Sequence, residues 1–600
     1  MAEASILQKK GITLTTADDL SFQRKRHCSA PQDSASTFAL LTTHEYASKI
    51  LSGLDHLRES GLLCDYTLIA GGLELHVHRV VMVACSDYFR AMLMGDMRES
   101  KESSVQLQGI TGTGLQAVID FAYKGWLKVN LETVEEILAA ASHLQVSEAV
   151  ELCARFLDHA VTVENCVDIL NITELYSLTK SQAKVRTFIL KNFELIADCD
   201  EFFKLSCAQL ASLLSENSLC VQSEYILFEL VLKWIEFEEA ERRLNIAALM
   251  RNIRLPLLSG EELVEKVSRV EMMTSNDECF KLLVEAKDYH IIVNKQPLLQ
   301  SSRTHVRSEK HRLVICHDEN LECLDFETGH HTYLKDNPIP LYNPCVCVVD
   351  NFMYACGGKY DSNENNDIAT ARCFRYDPRF DTWFELSAMN EARQDFVIVP
   401  FNSSLYAIAG QDENMVMYTV EQFNISNNEW VMCSNIASAI YGHSGALCFK
   451  RIYISGGQKF DGHSKGFMSY DPVTDVWRDE PPMLTPRSNH NMAEVGGRLY
   501  VVGGNVEDSY GFPVPVTSIE MFVPVTGMWV CCEATLNIRE AGAAVLESRI
   551  YIVGGINGQH YYSDKVLQYK TDTDEIITME KLSTRIHGRA CCILQLPRYI

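Results

Sequence analysis

Between residues 311 and 600 the apolar positions come in short runs, each closed by glycine. "RIYISGG" (451–457) reads as a half-buried strand, with apolar and β-branched residues running into Gly456-Gly457, where a side chain would clash or φ must be positive. A polar loop leads to "FMSYDP", a second strand that stops at proline, and Trp477 opens another. The order repeats. "MYACGG", "LYAIAG", "IYISGG", "LYVVGG" and "IYIVGG" end at Gly358, Gly410, Gly457, Gly504 and Gly555, spaced by 52, 47, 47 and 51 residues. Each is followed by an aromatic residue (Tyr376, Phe423, Tyr470, Phe522, Tyr569). Seven positions further on stands Trp383, Trp430, Trp477 or Trp529, with Ile576 in the last copy. A four-stranded unit of about 50 residues cannot bury both of its faces alone, so the period predicts the blades of a β-propeller.

A worn copy precedes these five. In "RLVICHDENLECLDFETGHHTYL", Phe326 and Tyr333 keep the seven-residue spacing and Ile315-Cys316 take the place of the glycine pair, which makes six blades. The C-terminal "STRIHGRACCILQL" reads as a first strand without the rest of its repeat. It is expected to complete the first blade and leave no open edge.

The first half has helical periodicity instead. Ile50, Leu51, Leu54 and Leu57 form a stripe in "EYASKILSGLDHLRESG", and Tyr225, Phe228, Val231, Leu232 and Ile235 recur on one helix face, with Pro256 ending a helix further on.

Composition narrows the classes. A net charge of -25 argues against nucleic-acid binding, which needs a basic footprint. No run of eighteen apolar residues is present, so no membrane insertion is expected. The first residues lack the apolar core of a secretory signal, which points to a cytoplasmic protein; "RKRH" (24–27) leaves a nuclear share open. The 21 cysteines are scattered and set among apolar residues, in the manner of reduced thiols acting as small hydrophobes. They do not form paired CxxC spacing, so no metal and no cofactor is expected. Neither a P-loop nor a nucleophile elbow occurs, so no catalytic residue is assigned.

"CDYTLIAGGLELHVHRVVMVACSDYFRAML" (64–93) resembles the BTB (POZ) domain, through Cys64-Asp65, His78-Arg79 and Ala84-Cys85-Ser86-Asp87-Tyr88-Phe89. "NIRLPLL", with the helix before it, resembles the BACK domain, and the glycine–aromatic–tryptophan period resembles the kelch repeat. Together they resemble the kelch-like family. The expected organisation is a flexible tail (1–43), an α/β BTB domain (44–160), an all-α BACK domain (161–290), a linker (291–310) and an all-β six-bladed propeller (311–600). In this family Asp65 and His78 are buried residues of the fold rather than catalysts.

The resemblance implies a non-enzymatic substrate adaptor of a cullin-3 RING ubiquitin ligase. BTB and BACK would bind cullin-3, and the propeller would recruit a protein substrate. The alternative is a scaffold without ligase function, such as an actin or cytoskeleton binder. The hydrophobic-x-Glu motif of the cullin face falls on Met97-Arg98-Glu99, and the helices of 161–198 would extend that face. The stripe Ile50, Leu51, Leu54, Leu57 would pack across a two-fold axis in a homodimer. The substrate face would combine the loops after the glycine pairs with those before each first strand. The second set carries Tyr342, Arg393, Tyr441, His443, Arg487, His490, Arg539 and His587, side chains suited to hot spots.

Overall fold

The structure is a computed structural model. It describes residues 12–15, 40–95, 97–308, 310–317, 320–326, 328–339, 341–361, 367–586 and 590–597. The chain divides into two compact units, Met1–Leu205 and Ser206–Ile600.

In the first unit Ile12–Thr15 pairs antiparallel with Leu40–Thr43, so two pieces of the expected flexible tail form a ladder. A helix follows (His44–Glu59), then a three-stranded sheet. Its middle strand, Tyr66–Ala70, runs antiparallel to Leu73–Val77 and parallel to Ser104–Gln106. Tyr66, Leu68 and Ala70 turn inward, as period two requires. Helices Arg79–Cys85, Asp87–Met94, Gly112–Lys124, Val134–His143 and Ser147–Ala160 complete this part. Ser86 caps the Asp87–Met94 helix by accepting from Phe89 N (3.0 Å), and donates to Leu144 O (2.5 Å). A Cβ on Gly114 would lie 2.3 Å from Glu136 O, so glycine permits the close packing of helix Gly112–Lys124 on Val134–His143. Cys166–Leu175 and Thr179–Lys191 then form a helical pair. Buried Glu201 accepts from Val167 N (2.9 Å) at the start of the first.

The second unit opens with helices, among them Cys207–Ser215, Glu224–Phe237 and Asp277–Ile291. The segment expected to be a linker is instead a buried strap between these helices and the propeller. Arg307 donates to Glu224 Oε1 (2.5 Å) and to the carbonyls of Leu214, Glu216 and Asn252. From the propeller side Arg379 donates to Thr304 O (2.8 Å) and Gln300 Oε1 (2.7 Å), and Arg375 to Val293 O and Gln296 Oε1. A linker sequence rich in polar and basic residues looks solvated. Here Arg307 is spent on a buried carboxylate and buried carbonyls, and Arg303 pairs with Glu285 (2.5 Å).

Six four-stranded antiparallel sheets follow among the described residues. Their inner strands are Cys591–Gln595 (blade 1), Cys345–Val349 (2), Val397–Phe401 (3), Ser444–Cys448 (4), Asn491–Val495 (5) and Gly542–Leu546 (6). Each neighbours the next, and blade 6 returns to blade 1. Blade 1 closes the ring as expected: Cys591–Gln595 pairs antiparallel with His311–His317. Six apolar clusters form the core, one at each blade–blade junction; one of them joins Phe352, Tyr354 and Cys373 of blade 2 to Ile398, Leu405 and Trp430 of blade 3.

The repeat is held by a relay that the sequence only hints at. Each tryptophan lies beside its aromatic partner, Tyr470 and Trp477 at 4.7 Å for example, and donates its indole N–H to the preceding blade. The acceptors are Lys335, Ser387, Ser434 and Pro481 carbonyls, at 2.7–2.9 Å. Two residues before the tryptophan, Asp381 and Asp475 accept from the tyrosine hydroxyl of their own blade and from a backbone N–H of the preceding one; Asp574 does the same before Ile576. These aspartates sit at φ of 49–54°, a region asparagine and glycine also enter, and Asn428 and Gly527 hold the place in blades 3 and 5.

Blade 1 departs from the expected register. The pair equivalent to Tyr470–Trp477 is Leu324–His331, not Phe326–Tyr333. His331 Nε2 contacts Lys581 O of blade 6 at 3.0 Å, in the role of the indole, and Tyr333 is exposed. Ile315 and Cys316 lie inside a strand rather than at its glycine end.

Candidate functional site

On the first unit, Met97 precedes the one-turn helix Arg98–Lys101. That turn is tied down from below. Tyr66 donates its hydroxyl to Glu99 O (3.1 Å). Arg79, stacked over the Tyr66 ring at 4.4 Å, donates to Ser100 O (2.7 Å) and to Glu102 O. Burial raises the Tyr66 pKa, and the nearby Glu99 and Glu102 carboxylates add to the shift, so it stays a neutral donor. Arg98 points to solvent and pairs with Glu102 (2.7 Å), whose hydrogen bond raises the Arg98 pKa. The result is a fixed turn with Met97 52% exposed, Met94 exposed one turn earlier, and Glu99 half-buried. Among the helices of 161–198, Leu175 and Leu195 are also exposed.

Asp65 and His78 lie in the fold of the first unit. His78 is buried. Its N–H and Nδ1 both meet the Tyr123 hydroxyl at 2.8 Å, and burial pushes the Tyr123 pKa up to about 12. Asp65 is exposed rather than buried, and accepts from Arg79 N (2.8 Å) at the start of a helix.

The stripe Ile50, Leu51, Leu54, Leu57 lies on helix His44–Glu59. Ile50 is 49% exposed and the three leucines are half-buried. The helix also binds helix Gly112–Lys124: Arg58, one turn after Leu54, pairs with Asp120 (2.6 Å) and Asp55 (2.7 Å) and covers the Tyr123 ring.

On the propeller, the loops before the inner strands surround a cavity of about 520 Å³ lined from all six blades, by Asn343, Asp395, His443, Asn489, Glu540 and Cys591 among others. Tyr342 and Tyr441 are half-buried, each joined by backbone hydrogen bonds to the residue after a glycine pair, Lys359 and Gln458. His443 and His490 are buried in the cavity wall, with His490 Nε2 at 2.8 Å from Ser455 Oγ. His587 lies outside the described residues.

The arginines assigned to the substrate rim do not reach it. Arg393 and Arg487 are fully buried, and Arg539 nearly so. Arg393 pairs with Glu421 (2.8 Å) and donates to Ala409 O and Thr419 O. Arg487 pairs with Glu520 (2.5 Å) and donates to Gly503 O and Ser518 O. Burial lowers the Arg487 pKa, and Glu520 opposes that shift. Both glutamates also accept backbone N–H groups of the incoming loop, at Asn390 and Leu484. These arginines brace blades; a substrate carboxylate would have to break the pair to meet them. Arg539 is ion-paired to Glu540.

The loops after the glycine pairs carry the exposed surface instead. Met415, Phe460, Tyr510, Phe512, Tyr561 and Tyr562 are all exposed there. The sequence names these loops as a binding set but offers no period by which to single out these residues.

Comparison with known proteins agrees with this architecture. Residues 54–161 match the BTB/POZ domain, 166–268 the BACK domain (BTB And C-terminal Kelch), and 320–564 the Attractin/LZTR1 beta-propeller. The chain is 31% identical to Kelch-like protein 26 of Danio rerio over 98% of this chain and 99% of that one. It is 34% identical to Kelch-like protein 26 of Homo sapiens (92% of each) and 36% identical to Kelch-like protein 13 of Bos taurus (94% and 88%).

Proposed function

Because this chain belongs to the kelch-like family of BTB–BACK–kelch proteins, we propose that it is a non-catalytic adaptor that binds cullin-3 through its BTB and BACK domains and recruits a protein substrate through its propeller. The observation that carries the reading is the Met97 turn. A thioether half exposed on a turn held by Arg79 and Tyr66 is a preformed apolar anchor, and preformed anchors lose little freedom on binding. Met94 next to it, and Leu175 and Leu195 on the BACK helices, are further apolar surface of the kind a helical partner covers. An adaptor needs only two binding faces, and the buried polar residues described above serve the fold.

The test is a Met97→Ala, Glu99→Ala variant, measured by calorimetry against the N-terminal domain of cullin-3. Truncating a buried anchor costs about 2 kcal/mol or more, roughly a thirtyfold loss of affinity. The Tyr66 and Arg79 bonds go to backbone carbonyls, so the turn survives both substitutions. Wild-type affinity in the folded variant would reject this face; no binding by the wild-type chain would reject the ligase reading and favour a scaffold.

A further inference from the structure

Three of the propeller loops that follow the glycine pairs end in the same device. In blade 3 the Asp412 N–H donates to Met415 O (3.1 Å), while Asp412 Oδ1 accepts from the N–H of that same Met415 (2.7 Å). In blade 5 Asp508 and Phe512 make the same reciprocal pair, at 2.9 and 2.9 Å, and in blade 6 Asn557 and Tyr561 make it at 3.0 and 3.0 Å. In each loop the same side-chain oxygen also accepts from the residue two positions on: Asn414, Tyr510 or Gln559. The loops differ in sequence and length, yet each clamps one residue by its backbone and leaves its large apolar side chain in solvent. Met415 is 53% exposed, Phe512 64% and Tyr561 63%. Blade 4 reaches the same end by a tight hairpin, Gln458–Lys459 against Gly462–His463, with Phe460 fully exposed at its tip. The bases of these loops are bridged to the loops that line the central cavity, at Gln394–Gln411, Tyr441–Gln458, Ser488–Asn505 and Arg539–Ile556. The tip-bearing loops therefore rise beside the loops around its mouth.

Apolar side chains held out in water on a fixed backbone are unfavourable for an isolated protein and favourable for one that docks, since the backbone freedom of the loop is already lost before binding. The charge of the face selects the occupant. The arginines that could attract an anionic segment are paired internally with Glu421, Glu520 and Glu540. The tip-bearing loops present Glu413, Asp461, Glu507 and Asp508 against Lys459 and Lys465, on a chain of net charge -25. Building on the adaptor reading, we infer that the clamped tips at Met415, Phe460, Phe512 and Tyr561 are the substrate anchors, and that they take a basic peptide segment of a substrate protein, bearing aliphatic or aromatic side chains, across the cavity mouth.

The clamps use only the backbone of Met415, Phe512 and Tyr561, so Met415→Ser, Phe512→Ser and Tyr561→Ser remove the anchors and keep the loops. The probe is a random-peptide display library selected on the full-length chain, with the best peptides resynthesised and measured by fluorescence polarisation. The expected peptides carry a net positive charge and large apolar residues, and lose about thirtyfold or more in affinity on the triple variant. Asp508→Ala, which frees the blade 5 clamp but keeps Tyr510 and Phe512, should weaken binding with the melting temperature of the propeller unchanged. Acidic peptides, equal binding by the triple variant, or no enrichment at all would overturn the inference. Cullin-3 binding that persists through any of these results would leave the adaptor reading standing, so the two fail separately.

Discussion

At the scale of residues, the propeller contains its own substitution experiment. In blades 2, 3 and 4 the second glycine donates its N–H to a fixed position in the next blade: Gly358 to Arg393, Gly410 to Ile440, Gly457 to Arg487. That position faces the residue two before the repeat aromatic. In blades 3 and 5 the pair is Arg393–Glu421 and Arg487–Glu520; in blades 4 and 6 the same places hold Ile440 with Met468 and Ile538 with Leu567, each two in one apolar cluster. The same backbone thus accepts a buried ion pair or an apolar pair. Removing one member of such an ion pair strands a charge and costs about 3–5 kcal/mol, whereas replacing both by well-packed apolar residues is often neutral. Arg393→Ile should therefore lower the denaturation midpoint strongly, and Arg393→Ile with Glu421→Met should restore part of it, because blade 4 holds those residues at the same places while Asn390 N–H loses its acceptor. Urea titration of the three proteins gives the coupling directly; additive losses in the double variant would refute the equivalence. This pairing was not legible beforehand. Arg393 and Glu421 are 28 residues apart on a loop and a strand, and loop arginines give no periodic sign of burial.

At the scale of elements, what repeats in the sequence was legible and what occurs once was not. Strand, glycine pair, aromatic and tryptophan recur, so the six blades and the closing strand could be read from the chain. Blade 1 was misaligned by two residues because His331 replaces tryptophan as the interblade donor, and one polar aromatic is no signature. The Asp381, Asp475 and Asp574 relay was visible as an Asp, Asn or Gly two places before the tryptophan or its substitute, a signal that has meaning only once positive φ is required there. The strap was invisible because its partners lie on other elements. Closure yields the next prediction. Cys591 belongs to the core between blades 6 and 1, and Cys592, Leu594 and Leu596 to the core between blades 1 and 2. Each of the two buried leucines is worth about 1.5–3 kcal/mol, and the strand also covers the edge of His311–His317. Deleting residues 590–600 should abolish the cooperative thermal transition of the propeller and expose dye-binding surface. An unchanged transition by calorimetry would mean that the ring is closed by other contacts.

At the scale of the whole molecule, the dimer expected of the N-terminal stripe would set how many of the proposed peptide-binding faces are linked together. Helix His44–Glu59 holds its Asp55 and Arg58 in ion pairs within its own chain, with Asp120 of helix Gly112–Lys124, and leaves Ile50 half exposed beside Leu51, Leu54 and Leu57. A two-fold axis through that stripe would bring each residue against its copy, so any charge placed there counts twice across the interface. The wild-type chain should therefore scatter light as two copies of 67.8 kDa at micromolar concentration. Ile50→Glu with Leu54→Glu should scatter as one, and its melting temperature shows whether the single chain remains folded. Wild-type monomer, or an unaltered dimer in the variant, would place the contact elsewhere. The consequence reaches the propeller. Two linked substrate faces convert the second binding event into an intramolecular one, which raises apparent affinity for a surface carrying many copies of a ligand without any new contact. The monomeric variant should bind a peptide free in solution as the wild type does, and bind the same peptide immobilised at high density at least about tenfold more weakly. Equal retention of both proteins on that surface would show that the dimer, if formed, does not engage two ligands at once.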